Sequence, residues 1–198
     1  MSTVVQTIYM NKENWKDIHK NNIFNAVMVY PSDTKRPLRF FLPLQDNPNQ
    51  GIISEYRGDF SPQLKDGKMK AREQQIVMTV KPRHVVVISY DFINNSSEYE
   101  YILVAPLNTI KENEKIKPWY QKLITDEHPI FVYCKNERYE QYIDVSQITT
   151  IHKSLLINKV GELDSERQRV LEDNIVECLS LGVLDEDEIK SNEESNGN

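Results

Sequence analysis

Four short segments in a fixed order constrain the fold of this chain more than any other feature. They occupy residues 82–88, 103–109, 142–148 and 163–166. The first three join an apolar, strand-like run to a small polar cluster, and the fourth has the composition of a helix start. Polar clusters at strand ends are where a compact β-barrel presents chemistry to a ligand. The order therefore predicts a small β-barrel with one functional site.

Length and composition fit a single domain with elaborations. The chain has 198 residues, of which 39% are hydrophobic, enough for one core. We expect a cytoplasmic protein without a membrane span, because no apolar run is long enough and the first twelve residues lack the pattern of a signal peptide. Cys134 and Cys178 both lie in apolar patterns, which favours reduced core thiols over a disulfide.

Charge is distributed unevenly along the chain. The net charge is −6, and the segment 185–198 carries six acidic residues against one lysine. Between residues 65 and 83, six basic residues face two acidic ones, a local excess of +4. The basic residues are Lys65, Lys68, Lys70, Arg72, Lys81 and Arg83. Such a stretch can attract a polyanion, and a solvated lysine-rich loop is the alternative.

Periodicity and turn residues predict a mainly β fold with some helix. The predicted strands are 23–30, 38–44, 75–80, 85–90, 99–107, 129–134 and 139–148. Residues 45–51 and 61–73 have loop composition, 11–22 predict a short helix with Trp15 and Ile18 on one side, and 164–181 predict an amphipathic helix capped by Asp164. We expect an extension over residues 1–55 packed on a barrel domain over 56–184, followed by a disordered acidic tail over 185–198.

The segments, taken in order, resemble the MazF/PemK family of toxins from type II toxin-antitoxin systems. An arginine leads into a valine-rich strand that ends near an aspartate, as residues 83–91 do, and a Pro-Leu-Thr-like element follows at 106–109. The most specific resemblance is the stretch 145–164, with its Gln-Ile element and Leu-Asp helix start. The resemblance implies an SH3-like small β-barrel with a C-terminal helix, here with a helix and strand elaboration before it.

The resemblance also implies an activity and a set of partners. Members of the family are endoribonucleases that cut single-stranded RNA at short sequences without a metal, are usually homodimers, and are held by a cognate antitoxin. In agreement, no metal-ligand spacing and no glycine-rich phosphate loop occurs in the sequence, so we expect no cofactor. We therefore expect a sequence-specific, metal-independent endoribonuclease.

The candidate catalytic residues follow from the resemblance. Arg83 matches the family's catalytic arginine, although an arginine at a strand start is often a surface ion-pair partner. Asn108 stands at the position of the catalytic threonine, with Thr109 next to it and on the other face if the strand continues. His84 replaces a proline and is either a proton donor or a barrel-rim residue. The expected RNA-binding residues are Lys65, Lys68, Lys70, Arg72, Lys81 and Gln147.

Departures from the family pattern keep a second function open. Asparagine can donate a hydrogen bond to a phosphoryl oxygen but cannot act as an acid or a base at ordinary pH. Thr149 and His152 also stand where the family tends to carry arginine and aspartate. The alternative is a catalytically inactive barrel that binds RNA or a protein. The acidic tail is either a solubilising end or a segment that covers the RNA groove in cis, and His19 and His128 are expected to be plain surface residues.

Overall fold

A computed structural model of the chain describes residues 7–29, 39–55, 59–136 and 140–181. The strands are β1 (Asn22–Val29), β2 (Arg39–Leu44), β3 (Asn47–Ser54), β4 (Gln63–Lys65), β5 (Lys68–Lys70), β6 (Gln75–Val77), β7 (Val80–Val87), β8 (Tyr101–Thr109), β9 (Phe131–Lys135), β10 (Glu140–Asp144), β11 (Thr149–His152) and β12 (Leu156–Glu162). The α-helices are α1 (Asp91–Asn94), α2 (Pro118–Ile124) and α3 (Ser165–Cys178). Short 3₁₀ helices occupy Ile8–Met10, Lys12–Asp17, Glu112–Glu114, Val145–Gln147 and Lys153–Leu155. The tail 185–198 lies outside the described residues.

Two compact units divide the chain. One consists of residues 1–26 and 83–198, and the other of residues 27–82. The division predicted from sequence, with boundaries at 55/56 and 184/185, stays a prediction.

The larger unit is built on one sheet with the strand order β12-β1-β7-β8-β10-β9. Strand β8 is central, because one of its edges pairs with β7 while the other pairs with β11 near its start and with β10 near its end. The predicted mainly β fold of the MazF/PemK type, with helices added, is confirmed. The sheets are not closed into a barrel over the described residues.

The sheet has two faces, set by the alternation of side chains along each strand. On one face Val86, Leu107 and Ile143 pack against Val170 and Leu171 of α3. We call this the α3 face. The opposite face carries the side chains one residue away, among them Arg83 and Asn108, and meets α2; we call it the α2 face. Helix α3 starts where predicted, since Asp164 accepts a hydrogen bond from the Arg167 amide, but it ends at Cys178, three residues early.

An N-terminal layer covers the start of β1. The predicted helix at 11–22 is a 3₁₀ helix of six residues, begun by Asn11, whose side chain accepts from the Glu13 amide. Trp15 and Ile18, which were predicted to lie on one side of this segment, are both buried, and the Trp15 indole donates to the carbonyl of Tyr9 at 2.8 Å. This layer is therefore part of the core of the larger unit.

The smaller unit consists of short antiparallel strands. The loop predicted at 45–51 is wrong, because β3 begins at Asn47 and pairs with β2 after a tight turn. Gly51 makes this pairing possible, since a Cβ there would overlap the Leu42 carbonyl. The loop predicted at 61–73 is also wrong: β4 and β5 form a hairpin whose turn residues Asp66 and Gly67 both have positive φ, as a type I′ turn requires.

Candidate active site

Arg83 and Asn108 meet on the α2 face. Strands β7 and β8 pair antiparallel with Val85 opposite Pro106, so two residues further along the same register Arg83 lies opposite Asn108. The Arg83 Nη1 donates to Asn108 Oδ1 at 3.0 Å, and both side chains are half-buried. Because Oδ1 of Asn108 accepts this hydrogen bond, the donor nitrogen Nδ2 of the same amide points away from Arg83. The two side chains together place donors at one point of the sheet.

Tyr142 extends this row onto the next strand. It lies opposite Asn108 in the pairing of β10 with β8 and is half-buried. Burial raises the pKa of the Tyr142 phenol, as do the negative charges of Asp144 and Glu114, while the positive charge of Arg83 lowers it. Tyr142 therefore stays a neutral phenol at ordinary pH and lies within the electrostatic reach of Arg83.

His84 and Thr109 lie on the α3 face. His84 follows Arg83 on an extended strand, and its Nδ1 is 3.3 Å from the amide nitrogen of Gln141. Because an amide nitrogen can only donate, Nδ1 accepts, and a neutral His84 carries its proton on Nε2. Thr109 is exposed and lies opposite Gln141. The structure thus brings together two of the four candidate catalytic residues on one face, and it places the other two on the opposite face, as strand alternation predicts.

A cavity of about 450 Å³ lies on the α3 face, between the sheet and the start of α3. His84, Gln141, Cys134 and Arg167 are among the residues that line it. Burial raises the pKa of the Cys134 thiol to about 12, so this thiol is not a nucleophile at neutral pH. Arg167 holds both carboxylate oxygens of Asp126, at 2.6 and 2.7 Å. Cys134 and Cys178 are both free thiols.

The expected RNA-binding lysines and arginine lie in the smaller unit. Lys65 and Lys68 are exposed and face each other across the β4–β5 hairpin. Lys70 forms an ion pair with Asp66 at 3.1 Å, and Arg72 forms one with Asp59 at 2.7 Å. The positive charge of the hairpin is therefore partly balanced within the same unit.

The two remaining expected RNA-binding residues differ in setting. Lys81 is exposed, near the start of β7. Gln147 belongs to the larger unit, where its amide donates to Asp144 Oδ2 at 2.8 Å and so helps to hold the 3₁₀ turn that follows β10. That contact gives Gln147 a structural role.

Sequence reasoning missed a group of aromatic side chains beside Tyr142. The ring centroids of Trp119 and Phe131 lie 5.6 and 4.6 Å from that of Tyr142, and His128 stacks on Phe131 at 4.2 Å. His128 is half-buried, and burial lowers its pKa, so the expectation of a plain surface residue is wrong. The alternation of Phe131 and Tyr133 with buried Val132 was the signal available in the sequence.

Neither a metal centre nor a membrane helix emerges from the described residues. No group of three or more histidine, cysteine, aspartate or glutamate side chains in this part of the chain could hold an ion. No described helix is long and apolar enough to cross a bilayer.

No curated protein matches the chain. Among solved structures, an endoribonuclease in complex with its cognate antitoxin, from a mycobacterial species, is 14% identical with a TM-score of 0.40, over 52% of this chain and 86% of that chain. A mycobacterial endoribonuclease is also 14% identical with a TM-score of 0.39, over 52% of this chain and 84% of that chain.

The sequence model of one toxin family covers most of the region that carries the site. It describes PemK-like, MazF-like toxins of type II toxin-antitoxin systems and matches residues 59–179, more than half of the chain. The resemblance seen in the sequence is therefore confirmed. The chain belongs to the PemK-like, MazF-like family of type II toxins.

Proposed function

We propose that this chain is a sequence-specific, metal-independent endoribonuclease toxin that cleaves single-stranded RNA. Family membership supports the reaction class. The observation that carries the proposal is the hydrogen bond of 3.0 Å from Arg83 to Asn108 on the α2 face. It aligns a guanidinium and an amide donor at one point, where a phosphodiester can be bound.

The reaction is an attack of a ribose 2′-hydroxyl on the adjacent phosphate. A bond forms between the 2′-oxygen and phosphorus, the bond from phosphorus to the 5′-oxygen breaks, and the products are a 2′,3′-cyclic phosphate and a 5′-hydroxyl. Solvent takes the proton of the 2′-hydroxyl and supplies one to the leaving 5′-oxygen. Negative charge accumulates on the non-bridging oxygens, where Arg83 and the Nδ2 of Asn108 stabilise it. Neither donor needs a metal ion for this role.

Partners and location follow from the same proposal. Membership in a family of type II toxins supports a cognate antitoxin as the protein that restrains this chain. We also infer a homodimer as the active form, as the resemblance seen in the sequence implies. Because the substrate is cellular RNA, we infer that the chain acts in the cytoplasm.

Cleavage of a labelled mixed-sequence RNA by the purified chain tests the proposal. We expect Arg83→Ala to slow cleavage by at least about a hundredfold, the usual effect of removing a donor that stabilises a transition-state oxyanion. Arg169→Ala is the matched control, since it removes an exposed arginine from α3, on the other face of the sheet. Equal rates for the wild type and Arg83→Ala would contradict the proposal.

A second function is favoured by one observation, the asparagine at position 108. Its amide cannot accept or supply a proton in catalysis, so a catalytically inactive protein of the same fold that binds RNA or a protein partner is the alternative. This alternative predicts a gel shift with RNA and no cleavage products. A purely protein-directed role predicts neither a gel shift with RNA nor cleavage of RNA.

A further inference from the structure

The α2 face carries an aromatic surface beside the proposed phosphate site. Its members are Trp119, His128, Phe131 and Tyr142, which we call the aromatic platform. The rings form a connected series, in which Trp119 contacts both Tyr142 and Phe131 at 5.6 and 5.9 Å, and His128 lies parallel to Phe131 with an interplanar angle of 6°. All four side chains are half-buried. By contrast the second tryptophan, Trp15, is 1% exposed.

The platform is held in place by its supports. Trp119 sits in the first turn of α2, where Pro118 favours the helix start and Leu123 anchors the helix with 0% exposure. The Tyr120 hydroxyl donates to Glu140 of β10 at 3.1 Å. These contacts fix α2 against the strands that carry Phe131 and Tyr142, so the platform is preorganised.

Cations lie at two ends of the platform. Arg83 lies within electrostatic reach of Tyr142, and Lys122 lies within electrostatic reach of His128. The carboxylates of Asp144 and Glu114 also act on Tyr142, and Asp144 acts on His128. Asp144 accepts hydrogen bonds on both oxygens, from Ser146 and Gln147. A half-exposed aromatic surface with a cation acting on each of two rings matches the chemistry of an unpaired base flanked by phosphates.

We infer that the aromatic platform binds an unpaired RNA base next to the phosphate that Arg83 contacts. The inference rests on the proposed function, since it names the recognition element of the same site. Trp119 has the largest ring of the platform and is the member that comes from α2, so it is the residue substituted in the tests below. A protein segment docked on the same rings is the competing occupant.

Tryptophan fluorescence reports the contact directly. The chain has two tryptophans, and Trp15 is buried, so a bound base changes the emission of Trp119. The probe is a mixed-sequence 2′-O-methyl RNA, which binds but cannot supply the attacking hydroxyl. We expect it to quench the wild type and not Trp119→Phe. An abasic version of the same oligonucleotide should quench neither.

Affinity gives the second readout. Trp119→Leu should weaken binding of the 2′-O-methyl RNA on the order of tenfold, the usual loss when one stacked base loses its ring. Trp119→Phe keeps an aromatic ring and should therefore lose less affinity for this RNA than Trp119→Leu. Tyr99→Leu is the matched control, because Tyr99 is an exposed aromatic side chain outside the platform. Thermal unfolding followed by Trp15 emission shows whether each variant is folded.

The outcomes separate the inference from the proposed function. Quenching by the 2′-O-methyl RNA without any cleavage of ordinary RNA supports the platform and overturns only the nuclease. Unchanged affinity and emission across the Trp119 variants overturn the platform, even if cleavage is intact. A synthetic peptide of residues 185–198 serves as an acidic chain without bases; quenching by this peptide but not by RNA would also overturn the inference.

Discussion

Lys153 is a fully buried cation. Among the described residues, no carboxylate contacts its ammonium group. Its Nζ donates to the carbonyls of Ile93 and Ser96 at 2.8 and 2.7 Å and lies 4.6 Å from the centre of a Trp15 ring. Burial, and to a lesser extent the charge of Lys12, lowers the pKa of Lys153 to about 8. The side chain therefore links the 3₁₀ helix Lys153–Leu155 to the end of α1 and to Trp15 of the N-terminal layer.

The lowered pKa predicts a pH-dependent stability. Below pH 8 the lysine is charged in both the native and the unfolded chain. Between pH 8 and 10.5 the native chain has released a proton that the unfolded chain still binds, so the free energy of unfolding rises with pH. We expect the wild type to gain stability relative to Lys153→Met across this window, measured by urea unfolding. A constant or falling difference would show that Lys153 is not desolvated.

The position of His84 on the α3 face predicts that it is not the proton donor. A general acid usually contributes at least about a hundredfold to the rate. We expect His84→Ala and Thr109→Ala to cleave RNA with losses far below that, while Arg83→Ala and Asn108→Asp lose most activity. A loss of about a hundredfold in His84→Ala, with unfolding unchanged, would place the imidazole in the reaction.

Strand alternation alone was sufficient to separate Arg83 from His84 in the sequence. It was not sufficient to find the aromatic platform, because Trp119, Phe131 and Tyr142 are distant along the chain. Their contact depends on the register of β9 with β10 and on where α2 packs. Alternation along β9 indicates that Phe131 and Tyr133 share a face, but it indicates neither this register nor the position of α2.

At the scale of elements, the start of α3 is the feature most directly encoded by the sequence. Asp164 Oδ1 accepts from the Arg167 amide at 2.9 Å, so the cap satisfies a donor that the helix cannot pair itself. Asp164→Ala should lower the free energy of unfolding by about 1 kcal/mol.

The matched control for the cap is Asp164→Asn, which keeps an oxygen acceptor and removes only the charge. It should retain most of the stability in the same denaturant measurement. If both variants lose equally, the charge near the helix dipole matters and the hydrogen bond does not.

Strand β3 shows why a composition rich in asparagine, proline and glycine misleads. Pro48 lies on an edge strand, and Pro43 of β2 lies beyond the three residues that pair with β6, so neither proline breaks a ladder on both sides. Gly51 is required by a close backbone approach rather than by a loop. The tertiary position of these residues overrides their usual preference.

At the scale of the whole molecule, the N-terminal segment contributes a strand to the sheet of the larger unit. Strand β1 pairs with β12, with Asn22 opposite Glu162, and lies beside β7. The sequence showed a strand at this position but not its neighbours, because pairing between segments so far apart depends on the whole fold.

This arrangement predicts cooperative unfolding of the larger unit. Trp15 of the N-terminal layer and Trp119 of α2 both belong to it. In denaturation of the Trp119→Phe variant, the fluorescence emission comes from Trp15 alone, and in that of Trp15→Phe it comes from Trp119 alone. After correction for the stability of each variant, the two transitions should have the same steepness and coincide with loss of circular dichroism. An early, shallow transition of Trp15 alone would show a separately folding extension.

The most direct test of the account is a map of RNA 5′ ends after incubation of mixed RNA with the purified chain in the presence of a metal chelator. For the wild type, we expect new 5′-hydroxyl ends at one recurring short sequence, each matched by a 2′,3′-cyclic phosphate on the upstream fragment. With Arg83→Ala, we expect these ends to be absent. The same ends with both proteins, or no new ends with either, would contradict cleavage at the Arg83 and Asn108 site.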